Sequence, residues 1–293
     1  MSTDSFAFPA YLTAGEEASA GGQRRYMNTV RLRLIFLVLA AVGGAVSVTA
    51  EGNDPFAWLA LVAFVACVGC EFFLFAEAPE KLWYEGRAAA ESTKTLAWRY
   101  AVGGAPFPLG APDPDGTFLG QIDEVASQLD RVVATSAGSG AQIPESLRSL
   151  RESDFATRRS AFETGRVADQ VAWYTAKAVD CARKQKLFLL LTIVVEMLGI
   201  IGAVLRVTGT FDFDALGILA AVVSGLASWA QTRQYGALST SYSIAARELT
   251  SIRDAIPKQT ETQWPTFVGE AEEAISREHT LWLASRGLLL RRR

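Results

Sequence analysis

One histidine, His279, is all that the 293 residues contain. Acid–base catalysis and metal ligation lean on histidine, so its scarcity removes most routes to a hydrolytic or metal-dependent site. The sequence also has no nucleophile elbow, no Walker-type glycine loop and no cluster with metal-ligand spacing. An enzyme, a metal and a cofactor are therefore not expected. Cysteine is scarce too: Cys67, Cys70 and Cys181 are the only ones, too few for a disulfide framework. Cys67 and Cys70 make a C-x-x-C with no second pair to complete a zinc site. Both lie in an apolar run and read as packing residues. The net charge of -3 gives no basic surplus, so nucleic acid is not an expected partner. Asp4, Glu16 and Glu17 break any basic-then-apolar start, and a cleavable secretory signal is not expected.

What the chain does have is apolar sequence gathered into four runs, at about 34–50, 56–75, 187–205 and 213–230. A spanning helix needs about 20 predominantly apolar residues. The first three runs fit directly, and the fourth fits once Phe211 and Phe213 are counted as its interfacial start. The runs come in pairs separated by short polar turns, so the spacing predicts two membrane hairpins. Tyr84 after the second run and Tyr235 after the fourth suggest a weak internal repeat. Each half holds an even number of spans, so the repeat is parallel rather than inverted. The expected fold is an all-α membrane protein with two parallel two-span hairpins, four spans in all, extended by long cytoplasmic helices. The proline- and glycine-rich stretch at 103–116 is the best boundary. It predicts a first two-span domain at 1–107, a linker with an amphipathic helix at 108–143, and a second two-span domain at 144–293.

Between the runs, a short helix around 9–19 with a loose joint at Gly21-Gly22 is expected. A helix over 77–102 should extend the second span, and an amphipathic helix over 117–134 should bury Leu119, Ile122, Val125 and Leu129. A helix beginning at Pro144 should run unbroken into the third span, the fourth span should continue through Tyr235 to Ile252, and a last helix should cover 270–286. Basic residues flank one side of the spans: Arg24, Arg25, Arg31, Arg33, Lys81, Arg87, Arg183, Lys184, Lys186 and Arg233. The turns carry Glu51, Asp54, Asp212 and Asp214 instead. The positive-inside rule puts both termini and the long helices in the cytoplasm of an inner-membrane protein.

Polar residues inside the spans are the candidate functional groups. Glu196 sits near the middle of the third run, where a charge is costly unless it faces protein or water. It reads either as a pore-facing group or as a structural partner for Thr192 or a serine of the fourth span. Thr192, Gly199 and Ala203 share its helical face, and Gly217, Ala221, Ser224 and Ser228 share one on the fourth run. Such small faces line water paths or pack helices. Glu71 lies near enough to the end of its run to reach the interface. Four spans make a thin bundle, so an aqueous pore requires several copies around an axis, and a homo-oligomer is expected. Trp83, Trp98, Trp173 and Trp282 supply assembly contacts, fill the core, or sit at the membrane interface.

Ala14, Ser19, Gln23 and Tyr26 precede the first hairpin, and Trp83-Tyr84, Arg87, Ala90-Glu91, Lys94, Trp98-Arg99-Tyr100 and Pro106-Phe107 follow it. The second half carries Arg159, Arg166, Asp169-Gln170, Trp173-Tyr174, Lys177-Ala178, Leu249, Glu273, Ile275, Glu278-His279-Thr280 and Trp282. In these residues the sequence resembles the SLATT proteins (domain of unknown function DUF4231), with two SLATT types in tandem. Asp180 stands where the family carries asparagine. The resemblance implies two-span helical modules that act as effectors in prokaryotic conflict and antiphage systems, often beside nucleotide-second-messenger synthetases. It implies an effector that opens a pore or disrupts the bilayer when a nucleotide messenger or a sensor protein triggers it. It supplies no catalytic residues. A non-conducting scaffold that recruits a partner through its cytoplasmic helices is the alternative.

Overall fold

The structure is a computed structural model that describes residues 7–46, 54–127, 140–210 and 215–285, the last nine by their backbone only. Among the described residues ten α-helices follow one another: α1 (Ala10–Ala45), α2 (Pro55–Glu77), α3 (Pro79–Val102), α4 (Pro114–Ser127), α5 (Glu145–Glu152), α6 (Phe155–Phe162), α7 (Asp169–Val207), α8 (Ala215–Arg233), α9 (Tyr235–Ala255) and α10 (Trp264–Ser285). A π-turn (Glu163–Ala168) joins α6 to α7, and no strand occurs among the described residues. Among the described residues four helices are long and apolar enough to cross a membrane; they contain α1, α2, α7 and α8. The all-α, four-span expectation is met. The chain divides into two compact units, a helical body (1–23, 80–178 and 240–293) and a span unit (24–79 and 179–239).

The helical body is built around α3. Ala89, Thr93, Ala97, Ala101 and Val102 are fully buried, and Tyr100 nearly so. Alanine and glycine there let neighbouring backbones come close. A Cβ on Gly86 would stand 2.5 Å from Ser19 N and 2.7 Å from Gly15 O, and one on Gly15 would stand 2.8 Å from Ala90 N. The α1–α3 crossing is therefore a backbone-to-backbone contact that only glycine permits. One cluster packs Tyr100, Phe107, Phe118, Ile122 and Leu147, and another packs Trp98, Phe162, Ile256, Trp264 and Val268.

The end of α3 is sealed by arginines. The last carbonyls of a helix lack partners within it and must find them elsewhere. Arg151 donates to the carbonyls of Tyr100, Phe107 and Pro108 at 2.7–2.9 Å and lies over the Tyr100 ring. Arg158 donates to Val102 O at 3.1 Å and to Glu261, and the Trp264 indole N–H also reaches Val102 O, at 2.8 Å. A third arginine, Arg166, is fully buried against Glu272 in a fork: Nε to Oε1 and Nη2 to Oε2, both 2.8 Å. The Thr95 hydroxyl donates to the same carboxylate. Burial alone would pull the Arg166 pKa down, but the charge of Glu272 and its hydrogen bonds outweigh this and hold it above its usual value. In an unbroken α-helix Arg166 would sit about 80° around from Arg158. The π-turn widens that stretch by a residue and returns Arg166 to the buried side.

Tyr100 donates to Asp115 at 2.6 Å, and Arg148 pairs with the same carboxylate. Burial, then the bond to Asp115, push the Tyr100 pKa from 10.0 to about 12. The Tyr100 bond, the largest effect, outweighs the opposing effect of burial and, helped by Arg148, holds Asp115 below its ordinary 3.8. A raised tyrosine pKa contributes stability that is complete below pH 10 and is lost as pH rises towards 12. A lowered aspartate pKa contributes stability present above pH 3.8 and lost as pH falls through the folded value. In a titration read at 295 nm, Tyr100 should give a late step among the seven tyrosines, with Tyr11 also delayed by its burial. Asp115→Asn should move that step downwards without restoring it fully, because burial remains; an unmoved step would contradict the assignment.

Several helix boundaries differ from the sequence reading, each for a local reason. The first helix does not stop at Gly21-Gly22 but runs on through Ala45. Two glycines weaken a helix by about 1 kcal/mol each, which is too little to break one packed along its length. The second span does not continue into α3: Pro79 disfavours helical geometry at the preceding residue, and Ala78 adopts a left-handed φ of 40°. A similar left-handed residue, Gln234 at φ 50°, separates α8 from α9. The helix after Pro144 is cut at Ser153-Asp154, where Asp154 caps α6 through Thr157 N. In α4 it is Phe118 and Ile122 that are buried, while Leu119 is exposed. The last helix starts earlier, at Trp264. The 47–53 turn, 128–139 (with Leu129), 211–214 and the side chains of His279 and Trp282 fall outside the described residues.

Candidate functional site

In the span unit, α1 and α2 form the first hairpin. Asp54 caps α2 by accepting from Phe56 N at 2.9 Å and Ala57 N at 3.2 Å, with Pro55 in the first turn. Proline is suited to that position because its missing N–H has no helical partner there. A Cβ on Gly43 would stand 2.6 Å from Phe56 O, so this glycine sets the closest approach of the two helices. Lower down, Arg33 of α1 pairs with Glu71 of α2. The structure thus gives Glu71 a basic partner across the hairpin. Trp58, Leu61, Val62, Val65, Val68 and Phe72 are exposed on α2, which is the surface a lipid-facing helix presents.

The second hairpin packs α7 on α8. A Cβ on Gly202 would meet Ala215 at 3.4 Å, and one on Gly199 would meet Leu216 and Leu219 at 3.7 and 3.9 Å. At the other end Phe188 stacks on Tyr235. Near that end, Arg31 of α1 lies 5.4 Å from the Trp229 ring centre, and Arg233 lies 5.9 Å from it. Basic and aromatic side chains together are what the headgroup region of a bilayer accommodates.

The candidate polar residues fall in different places. Thr192 is half-buried and its hydroxyl donates to Phe188 O at 2.9 Å, within its own helix. Glu196 is exposed. Among the described residues no hydrogen bond or ion pair reaches it, so it bonds neither Thr192 nor a serine of α8. Ser224 is exposed and Ser228 half-buried on α8. Within one copy these groups do not converge. Among the described residues no group of three or more His, Cys, Asp or Glu stands close enough to hold a metal, and the three cysteines are free thiols.

The residues that sequence reasoning missed are in the helical body: Arg151, Arg158 and the partner of Arg166, Glu272. The signal was present for the last. Val268, Ala271 and Ile275 mark the buried face of α10, and Glu272, four residues after Val268, lies on it.

The family model for "SMODS and SLOG-associating 2TM effector domain 3" matches residues 9–159, more than half of the chain, and the model for "SMODS and SLOG-associating 2TM effector domain 1" matches 162–282. The chain belongs to the SLATT family. Two SLATT domains follow one another in it, as the sequence resemblance implied, and their matches meet inside α6. With four candidate spans, this SLATT protein is a multi-pass membrane protein, and its domains mark it as a membrane-associated effector in conflict systems. No curated protein and no solved structure matches it.

Proposed function

We propose that this SLATT protein is the membrane-acting arm of an antiphage or related prokaryotic conflict system, assembling as a homo-oligomer in the inner membrane and opening a regulated pore. One observation carries the reading. Glu196 lies mid-span on an exposed helix face with no partner among the described residues, where an uncovered charge is unfavourable by about 2.5–3.5 kcal/mol on insertion scales. Water in a pore, or another subunit, removes that cost. The basic residues beside the spans favour an orientation with the helical body in the cytoplasm. There a nucleotide second messenger or a sensor protein would act as the trigger. The polypeptide supplies no catalytic step in this reading.

Liposomes containing the purified protein should release ions or small dyes when candidate nucleotide messengers are added, and Glu196→Leu should abolish that release. A confirmed oligomer that conducts under no trigger would count against the pore. A second reading, a non-conducting scaffold, draws support from the size of the helical body and its separate core. Under it, Glu196→Leu leaves cellular toxicity unchanged.

A further inference from the structure

We propose that the Glu196 edge of α7 docks against the outward stripe of α8 in a second copy of this chain, where its carboxyl group meets the partner subunit's Ser224 hydroxyl. The inference rests on the oligomer reading above and specifies which faces meet.

Apart from Leu216, which is exposed at its first turn, α8 exposes small and polar residues, the reverse of a lipid-facing helix. Ala215 and Leu219 lie against α7, and helical spacing puts Val222 and Leu226 on that same side. The opposite side carries Gly217, Ala220, Ser224, Ala227 and Gln231, all exposed. On α2 the exposed side is bulky and apolar instead. Small residues on a membrane helix let another helix approach closely, and a hydroxyl among them can bond across the contact. Neither property serves a surface facing acyl chains.

Glu196 is exposed and, among the described residues, has no hydrogen-bond or ionic partner. It also lies at the right depth. The helices run antiparallel with Gly199 opposite Leu219. Glu196 is three residues before Gly199, which places it level with Val222; Ser224 is two residues further along, within about 3 Å of that depth. Copies inserted in one orientation keep the two groups at one level. A symmetric contact would instead set two carboxyl groups against each other in a low-dielectric medium, which disfavours ionising both. The unlike pairing gives every carboxyl a hydroxyl and can close into a ring.

The test uses the full chain in bacterial membranes with Cys67, Cys70 and Cys181 changed to alanine. One copy carries Ile200→Cys, one helical turn from Glu196. A second, differently tagged copy carries Ala220→Cys, one turn from Ser224, so the proposed pair stays intact. Oxidation should give a covalent dimer of mixed size, and none should form when Val65→Cys replaces Ala220→Cys. Adding Glu196→Leu should abolish the mixed dimer, while Glu196→Gln, which still hydrogen-bonds, should retain it. An oligomer by native mass that gives no mixed dimer, or gives one that Glu196→Leu leaves unchanged, overturns this interface and leaves the assembly reading standing. A chain that stays monomeric in the bilayer overturns both.

Discussion

Glu272→Ala is expected to destabilise the helical body by about 3–5 kcal/mol, the range for removing one member of a buried ion pair. The whole margin of a domain is only about 5–15 kcal/mol. The carboxylate is fully buried and takes both forks of Arg166 and the Thr95 hydroxyl. Removing it strands a guanidinium whose remaining nitrogen, Nη1, already has no hydrogen-bond partner among the described residues. Replacing both charges, Arg166→Met with Glu272→Leu, should recover most of the loss, since a buried pair often contributes little beyond a well-packed apolar substitute. Thermal melts of the full chain in detergent, followed by circular dichroism, would decide it. A double variant as unstable as Glu272→Ala would mean that the damage comes from packing and not from an unpaired charge.

Gly86→Val should be comparably severe. Its Cβ alone would stand 2.5 Å from Ser19 N and 2.7 Å from Gly15 O. Those neighbours are backbone atoms of α1, so no rotamer change can relieve the clash and the helices must part. Overpacking typically costs about 1–3 kcal/mol, and separating two helices uncovers the apolar surface between them as well. Gly21→Ala is the internal control. It lies in the same helix α1 with nothing within 4 Å of its would-be Cβ. Alanine there should stabilise by about 0.5–1 kcal/mol through helix propensity alone. Two glycines in touch with one interface question would then move the melting temperature in opposite directions. Equal effects would remove the argument for a glycine-mediated crossing.

Much of the membrane half was legible from the residues because the bilayer imposes a single strong rule. Runs such as 56–75 and 187–205 are long and apolar, and no water-soluble alternative competes with them. Boundaries were harder to read. Pro79 was passed over in the helix expected at 77–102, and Gly21-Gly22 was given more breaking power than glycine has inside a packed helix. The π-turn left no trace, since one extra residue per turn changes spacing without changing composition. For the candidate site, Glu196 was identifiable by its isolation, whereas its position on an outward face was not. The hairpin faces of α7 were fixed by contacts of Gly199 and Gly202 with α8, which a single helix does not announce. The arginine seal on α3 was hidden for a related reason: Arg151 and Arg158 read as ordinary surface residues until a neighbouring helix end is known to need donors.

Those sunken arginines also alter what the protein shows to the solution around it. Arg151, Arg158 and Arg166 are at most 9 % exposed, against one carboxylate, Glu272, buried among the described residues. Burial thus hides more positive than negative charge there. The three guanidinium groups best shaped to greet a phosphate are already engaged in holding helices shut.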